Sequence, residues 1–535
     1  MTVSFLWNGY RYFPYEREFA KREVEAIVGI SPVEIENGVT VPTTDVPLQM
    51  LERLTYFGEI LLSDGRRLVP DQARLEESSW HSNKLGDTYR SDHYRRQSTR
   101  YSAHGLHEYR GKFNPQIVRA IGNILKLTAG AWVLDPFCGS GTTLLECAHI
   151  GWNAVGIDLN PLGVLISNAK LQALHTSSTQ LEVSAQRLSR LLIKEASGLE
   201  YENEWNKQEM ERLAGPHWAE SLPSFEYLQS WFPMPVLAQF SAILQGIRTC
   251  VESALIPVFQ VILSDLVRLV SFQDPGDLRV RRRKQPAANY PVIPMYLETL
   301  ERRLATIRNA QAVINLATCR QEAYVGDSRL PLDWIYERSL IPKNRGFEAA
   351  ITSPPYATAL PYIDTQRLSL CLLGLLHSKD VMQLDRRMIG TREILNSIRK
   401  TLEASMANTT AEVPESVLGL CRRMLDLTTA QMDGFRRRNM PALVYSYFCD
   451  MVRVLANVRQ VLQPRGSFAI IVGRNRSTLG GQSILIDTPQ LLADIALSNG
   501  WLVKEIIELN TYPRFDVHRR NSIRTESLIL LERTD

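Results

Sequence analysis

Two short stretches carry residue types and spacings that could do chemistry. The first is Ser353-Pro354-Pro355-Tyr356, which follows the apolar run Ala349-Ala350-Ile351-Thr352. Neither proline has an N–H to give to a sheet ladder, so a buried strand should stop there and leave a stiff loop at its end. The prolines fix φ and hold the carbonyl between them in one direction. The Ser353 hydroxyl can accept a hydrogen bond, and the Tyr356 ring offers a flat face for stacking. Such a set suits a planar group bearing an exocyclic NH2, as a nucleobase does. The second stretch is VLDPFCGSGTTLLE, 133–146, whose Gly139 and Gly141 stand between an expected strand and an expected helix. Glycine there permits a sharp turn and close approach of a ligand to the backbone. Asp135 precedes the loop, and Asp158 ends the next expected strand, where a carboxylate can accept hydrogen bonds from ribose hydroxyls. Leu144 fills the third glycine place of a G-x-G-x-x-G pattern, and no Gly-Lys-Ser/Thr follows. A phosphate-cradling loop is therefore excluded, and a ribose-bearing ligand without a tightly held phosphate fits better.

These residues need elements to hold them. PQIVRAIGNILKL reads as a helix with Pro115 in its first turn. AWVLDPF reads as a strand, GTTLLECAHIG as a helix closed by Gly151, and NAVGIDLN as a second strand, together a βαβ unit that argues for an α/β fold with a parallel sheet. EAYVGDSR, FEAAITS and GSFAIIVG continue the strand pattern, and WLVKEIIEL with ESLILLER gives a final pair. In open α/β sheets ligands bind at the carboxyl ends of strands, where both chemical stretches fall. Before residue 101 the chain is rich in aromatics and charge, with a short helix ending near Gly29 and a polar, basic, loop-like stretch over 78–105. Residues 171–319 read as a helical insertion containing the basic run Arg279, Arg281, Arg282, Arg283 and Lys284. A second helical insertion spans 376–440, with Arg386, Arg387 and GFRRRN at 434–439.

The 535 residues suggest more than one domain, and 44% hydrophobic with 22% charged residues is ordinary globular composition. A net charge of +4 permits a nucleic-acid partner without demanding one. Seven scattered cysteines with no C-x-x-C or Cys/His cluster predict no metal site and a cytoplasmic setting. No secretory signal or membrane span is read from the sequence.

DPFCGSGT together with SPPY resembles the S-adenosylmethionine-dependent DNA amino-methyltransferases, over roughly 101–170 and 320–535. HGLHEYRGKFNPQIVRAI, YVGDSR and VLQPRGSFAIIVG are similar to further pieces of that family, although Arg465 stands where such a turn often has glycine. The resemblance implies a Rossmann-like methyltransferase fold, a mostly parallel seven-stranded sheet with a C-terminal antiparallel hairpin and helical insertions. It divides the chain into an accessory region at 1–100, a discontinuous catalytic domain at 101–170 and 320–535, and the insertions at 171–319 and 376–440. It implies S-adenosyl-L-methionine as cofactor, with Phe113, Pro115, Asp135, Pro136, Phe137, Gly139, Gly141, Thr142, Asp158, Asp327 and Ser328 around it. Asp158 would hold the ribose hydroxyls and Asp327, beside Ser328, would reach the adenine. Ser353, Pro354, Pro355 and Tyr356 would hold the target base, and Lys112 would meet DNA. The Ser-Pro-Pro-Tyr form is typical of enzymes acting on N4 of cytosine, whereas adenine-N6 enzymes more often have Asp or Asn in the serine place. The implied partner is double-stranded DNA, with a cognate restriction endonuclease left open. Adenine-N6 methylation, methylation of an RNA base amine or a protein glutamine, and a non-catalytic DNA-binding protein are the alternatives. The helical insertions and the N-terminal region are the candidates for reading DNA sequence.

Overall fold

The computed structural model describes residues 2–42, 45–83, 97–109, 111, 113–201, 205–274, 281–283, 290–339, 341–342, 345–357, 363–407, 412–429, 434–510 and 525–535, with backbone alone at 80–83, 429, 435 and 436. Lys112, Arg279 and Lys284 lie outside the described residues.

The N-terminal region builds an antiparallel sheet from β1 (Thr2–Trp7), β2 (Val33–Ile35), β3 (Gly38–Pro42), β4 (Phe57–Leu61) and β5 (Arg67–Leu68), in the order β2-β3-β1-β4-β5. The helix Pro14–Val28 buries Phe19, Ala20 and Val24, and ends at Gly29 with φ +79°. The sequence reading has that helix but none of these short strands. The stretch over 78–105 is also not all loop, because the helix Asp71–Asn83 runs into it and a 3-10 turn occupies Ser102–Gly105.

The larger sheet contains β6 (Trp132–Asp135), β7 (Asn153–Asp158), β8 (Gln321–Val325), β9 (Phe347–Thr352), β10 (Leu462–Gly473), β13 (Trp501–Asn510) and β14 (Thr525–Arg533). Between β10 and β13 the strands β11 (Asn475–Leu479) and β12 (Gln482–Ile486) form a separate hairpin turning at Gly480-Gly481. The seven strands lie in the order β13-β14-β10-β9-β6-β7-β8. Every neighbouring pair is parallel except the two made by β14, which runs against the rest. This is the seven-stranded methyltransferase-type sheet. The strands are apolar almost without a break, as in Val133-Leu134, Ala349-Ala350-Ile351 and Phe468 to Val472, all buried. Strands covered by helices on both faces need that composition rather than an alternating one.

Chain order fixes where a ligand can bind. The chain lays down β6, β7 and β8 outward to one side, then crosses back to begin β9 on the other side of β6. The crevice between the carboxyl ends of β6 and β9 is thus the topological switch point.

The predicted insertion consists of the helices Ser178–Glu195, Lys207–Ala214, Met234–Cys250, Ile256–Val267 and Val292–Val313, with shorter turns between them. Its two ends are tied together. Gln311 Nε2 donates to the carbonyls of Leu174 at 2.8 Å and Thr176 at 2.7 Å. The second helical region holds Asn396–Ala407 and Glu415–Thr429, packed on the long helix Phe435–Val461. Among the described residues no helix is long and apolar enough to cross a membrane.

Candidate active site

The turn after β6 forms the floor of the crevice. Gly139 and Gly141 adopt φ +49° and +77°, a left-handed region that disfavours side chains. A β-carbon at Gly141 would come to 2.8 Å of Ser167 Oγ, so the turn is closed on that side. The Ser167 hydroxyl donates to the Gly139 carbonyl at 2.9 Å, and the buried Lys170 ammonium donates to the Ser140 carbonyl at 3.0 Å. Gly141 caps the helix Thr142–Ile150, whose first residue Thr142 is buried. The ring of Tyr109 lies over the turn, 3.3 Å from where a Gly139 β-carbon would be.

Two carboxylates flank this floor. Asp135 Oδ1 accepts from the Phe137 N–H at 3.0 Å and from the Thr352 hydroxyl at 2.6 Å. Its Oδ2 is buried and has no hydrogen-bond partner at bonding distance among the described residues. Asp158 Oδ2 accepts from the Gly139 N–H at 2.9 Å, and its Oδ1 from the Asn160 N–H at 2.8 Å. Burial pushes each carboxyl up to about 6, against the pull of these hydrogen bonds.

The Ser-Pro-Pro-Tyr corner stands directly beside the floor. β9 pairs with β6 in the register Leu134↔Ala350, and the hydroxyl of its last residue is the one bonded to Asp135. The Thr143 hydroxyl adds a second tie, to the Ile351 carbonyl at 3.3 Å. Ser353 is half-buried, Pro354 buried, and Pro355 and Tyr356 half-buried. The Tyr356 hydroxyl donates to Glu526 Oε1, and Asn475 Nδ2 donates to the Ala357 carbonyl at 2.9 Å.

The other predicted residues are placed as follows. Phe113 and Phe137 are half-buried against the two apolar cores. Pro115 opens the helix Pro115–Ile124, which Asn114 caps by accepting from the Gln116 N–H at 3.1 Å. The Pro136 carbonyl accepts from the buried Ser328 hydroxyl at 2.7 Å, which links the turn after β8 to the one after β6. Asp327 does not point free into the crevice. Arg329 grips both of its oxygens, at 2.8 and 2.7 Å, and also reaches Asp450 at 3.1 Å and the Arg387 carbonyl at 2.7 Å. Burial would raise the Asp327 carboxyl, but the Arg329 guanidinium holds it below the usual range. In the basic run Arg283 is spent on packing, donating to the carbonyls of Gln273 and Leu269 and to the Tyr290 hydroxyl. Arg282 is exposed, with its guanidinium 4.9 Å from the Trp231 ring centre.

Four residues at the site escape sequence reading: Thr352, Asn160, Arg329 and Glu526. Asn160 caps the helix Pro161–His175 and donates through Nδ2 to Gln366 Oε1. Arg329, two residues from Asp327, and Asn160, a capping residue before Pro161 and two residues from Asp158, each left a local signal. Thr352 and Glu526 meet partners far along the chain.

A further buried cluster lies behind the floor. Glu146 Oε1 accepts from the Tyr101 hydroxyl at 2.8 Å and faces His104 Nε2 at 2.7 Å and His149 Nδ1 at 3.1 Å. Such a His, His and Glu grouping has the donor types of a metal site. Arg119 Nε, however, sits 3.3 Å from Glu146 Oε2 and already balances the carboxylate charge. A divalent cation there would share a sealed pocket with a guanidinium, so the cluster fits a fastening better than a metal centre.

Residues 63–168 match the sequence profile of the family described as DNA methylase. Over this segment the chain is similar to the DNA methylases. The chain is 25% identical over 356 residues to the Type II methyltransferase M.MjaII of Methanocaldococcus jannaschii, a match covering 54% of this chain and 64% of that relative. It is 28% identical to the Type II methyltransferase M.MvaI of Kocuria varians, over 59% of this chain and 68% of the relative. The Type II methyltransferase M.AvaI of Anabaena variabilis is 22% identical over 92% of this chain and 97% of its own length. Family and fold imply S-adenosylmethionine as methyl donor. The residues fit it: an orphaned buried carboxylate oxygen, a turn that admits no β-carbon, and a second acid one strand away.

Proposed function

We propose that this methyltransferase moves a methyl group from S-adenosylmethionine to N4 of a cytosine extruded from double-stranded DNA, in restriction–modification or phage defence. The single observation behind this is the Thr352–Asp135 hydrogen bond, which joins the Ser-Pro-Pro-Tyr corner to the glycine turn at the switch point. The serine in the first place of the corner favours cytosine over adenine, by resemblance to the family.

The cofactor supplies an electrophilic methyl group on a sulfonium. Asp135 Oδ2 would accept a hydrogen bond from it at the turn, and Asp158 would accept from its ribose hydroxyls. With Asp327 gripped by Arg329, its part at the adenine is to hold the loop after β8 in place. The target base must leave the stack, because a paired amine cannot reach a donor seated in a crevice. Tyr356 replaces part of the lost stacking, about 1–3 kcal/mol. The Ser353 hydroxyl and the Pro354 carbonyl accept the two amine hydrogens, which turns the amine out of conjugation and frees its lone pair. Rigid acceptors act chiefly by positioning and by stabilising positive charge as it develops on nitrogen. The reaction takes place in the cytoplasm, and a nuclease of matching specificity is the natural companion.

The test is to incubate the full chain with methyl-labelled S-adenosylmethionine and, separately, unmethylated genomic DNA, total RNA and protein. Labelled DNA is then digested to nucleosides. Label in N4-methylcytosine is expected. Label in N6-methyladenine overturns the base assignment, and label confined to RNA or protein overturns the DNA reading.

A further inference from the structure

We propose that Glu526 is a positioning residue that fixes the Tyr356 ring as a platform for the extruded base. The inference rests on the reading of Tyr356 as the stacking residue. β14 runs opposite to the parallel strands, so its beginning, not its end, lies at the edge where β6, β9 and β10 present their loops. Glu526 is its second residue and pairs with Gly473, the last residue of β10. Gly473 brings no side chain between β9 and β14, and the phenol of Tyr356 spans that gap to donate its proton to Glu526 Oε1.

The rest of the corner is held as firmly. Asn475 anchors the carbonyl of the next residue, Ala357. Gly390, at φ +76°, backs onto the Tyr356 carbonyl so closely that a β-carbon would come within 2.6 Å of it. Arg474 pins the turn beside Glu526, pairing with Asp487 at 2.9 Å and with Glu508 at 3.0 Å. The backbone of Tyr356 is thus fixed by its neighbours, and its ring is tethered at the hydroxyl by Glu526. A half-buried ring tethered at its hydroxyl loses little entropy when a base stacks on it, and tethering of this kind lowers the cost of reaching the reactive arrangement.

A double-mutant cycle on the full chain tests this. Wild type, Tyr356→Phe, Glu526→Ala, Glu526→Gln, the Tyr356→Phe/Glu526→Ala double variant and Tyr356→Ala are compared with the methyl acceptor established for wild type. Single-turnover transfer, steady-state kcat and KM, and affinity for S-adenosylmethionine are measured. Tyr356→Phe and Glu526→Ala should each slow transfer about tenfold, the scale of a lost hydrogen bond to a charged group. The double variant should be no slower than either single one, because both remove the same bond. Glu526→Gln keeps an acceptor and should recover most of the rate. Cofactor affinity should stay at the wild-type level. Wild-type transfer in Glu526→Ala, or losses that multiply in the double variant, overturns the proposal. If Tyr356→Ala abolishes transfer while Tyr356→Phe and Glu526→Ala do not slow it, the stacking role stands and only the tether falls. A silent Tyr356→Ala overturns both.

Discussion

Asp135 and Asp158 are acids held in unusual surroundings, and that has a measurable result. Burial raises both to about 6, so each is ionised at neutral pH and becomes protonated as the pH falls through that value. Protonation removes the acceptors that the cofactor's ammonium and ribose hydroxyls would use. Affinity for S-adenosylmethionine should therefore hold steady above about pH 7 and weaken progressively below pH 6. Calorimetric titration across pH 5.5–8 checks this, and Asp135→Asn should bind weakly and flatten the acid limb. Ser353→Ala should bind cofactor like wild type and lose turnover, since Ser353 is assigned to the base and not to the cofactor. Equal loss of cofactor affinity would count against that role. At this scale the sequence was readable where the chemistry is local. Asp135, Gly139 and Gly141 fall within one turn, and Ser353 to Tyr356 within another. Thr352 and Glu526 were unreadable because their partners stand 217 and 170 residues away, and nothing in their own surroundings distinguishes them.

The helix Thr142–Ile150 both carries the glycine turn and holds Glu146, so the floor of the crevice depends on the fastening behind it. Glu146 is fully buried with Arg119, His104, His149 and the Tyr101 hydroxyl around it. Removing one partner of such a network leaves the others desolvated without compensation. Glu146→Gln should cost about 3–5 kcal/mol of stability, read as a lower urea midpoint, whereas exposed Arg100→Ala should cost under about 1 kcal/mol. The parallel strands were legible as elements because burial on both faces makes them continuous apolar runs bounded by glycine and proline. The N-terminal strands β2 and β5 are only 3 and 2 residues long, too short for any alternation to register. The β11–β12 hairpin was hidden for another reason: Asn475 to Thr478 are all polar, so β11 offers no apolar run to read. Arg465 adopts φ +63° at the break of register between Leu462 and Ser467 in β10, so that kink keeps the shape usually given to glycine despite carrying a side chain.

Two buried acids are among the groups that join the N-terminal region to the rest of the molecule. Glu23 Oε1 accepts from Thr55 at 2.5 Å and from Asn123 at 2.8 Å, and Glu76 Oε1 accepts from Gln116 at 2.9 Å and from Gln72 at 2.7 Å. Burial raises both to about 7. An acid raised on folding holds its proton longer in the folded state than in the unfolded one. Its contribution to stability is therefore complete below about pH 4.5 and is lost as the pH rises towards 7, at no more than about 1.4 kcal/mol per unit per group. Across pH 5–7, Glu76→Gln should gain on wild type steadily as pH rises, measured as the difference between their denaturation midpoints. A difference that stays constant over that range would show that Glu76 does not titrate there. The insertion between β7 and β8 has its two ends knotted by Gln311 onto the carbonyls of Leu174 and Thr176. Beyond that tie the insertion is packed onto the site itself: Ser264 meets His107 Nε2 at 3.1 Å, and Asp265 accepts from the Glu108 N–H at 2.7 Å, one residue before the Tyr109 ring that lies over the glycine turn. A shift of these helices would therefore be felt at the roof of the crevice rather than stopping at the surface.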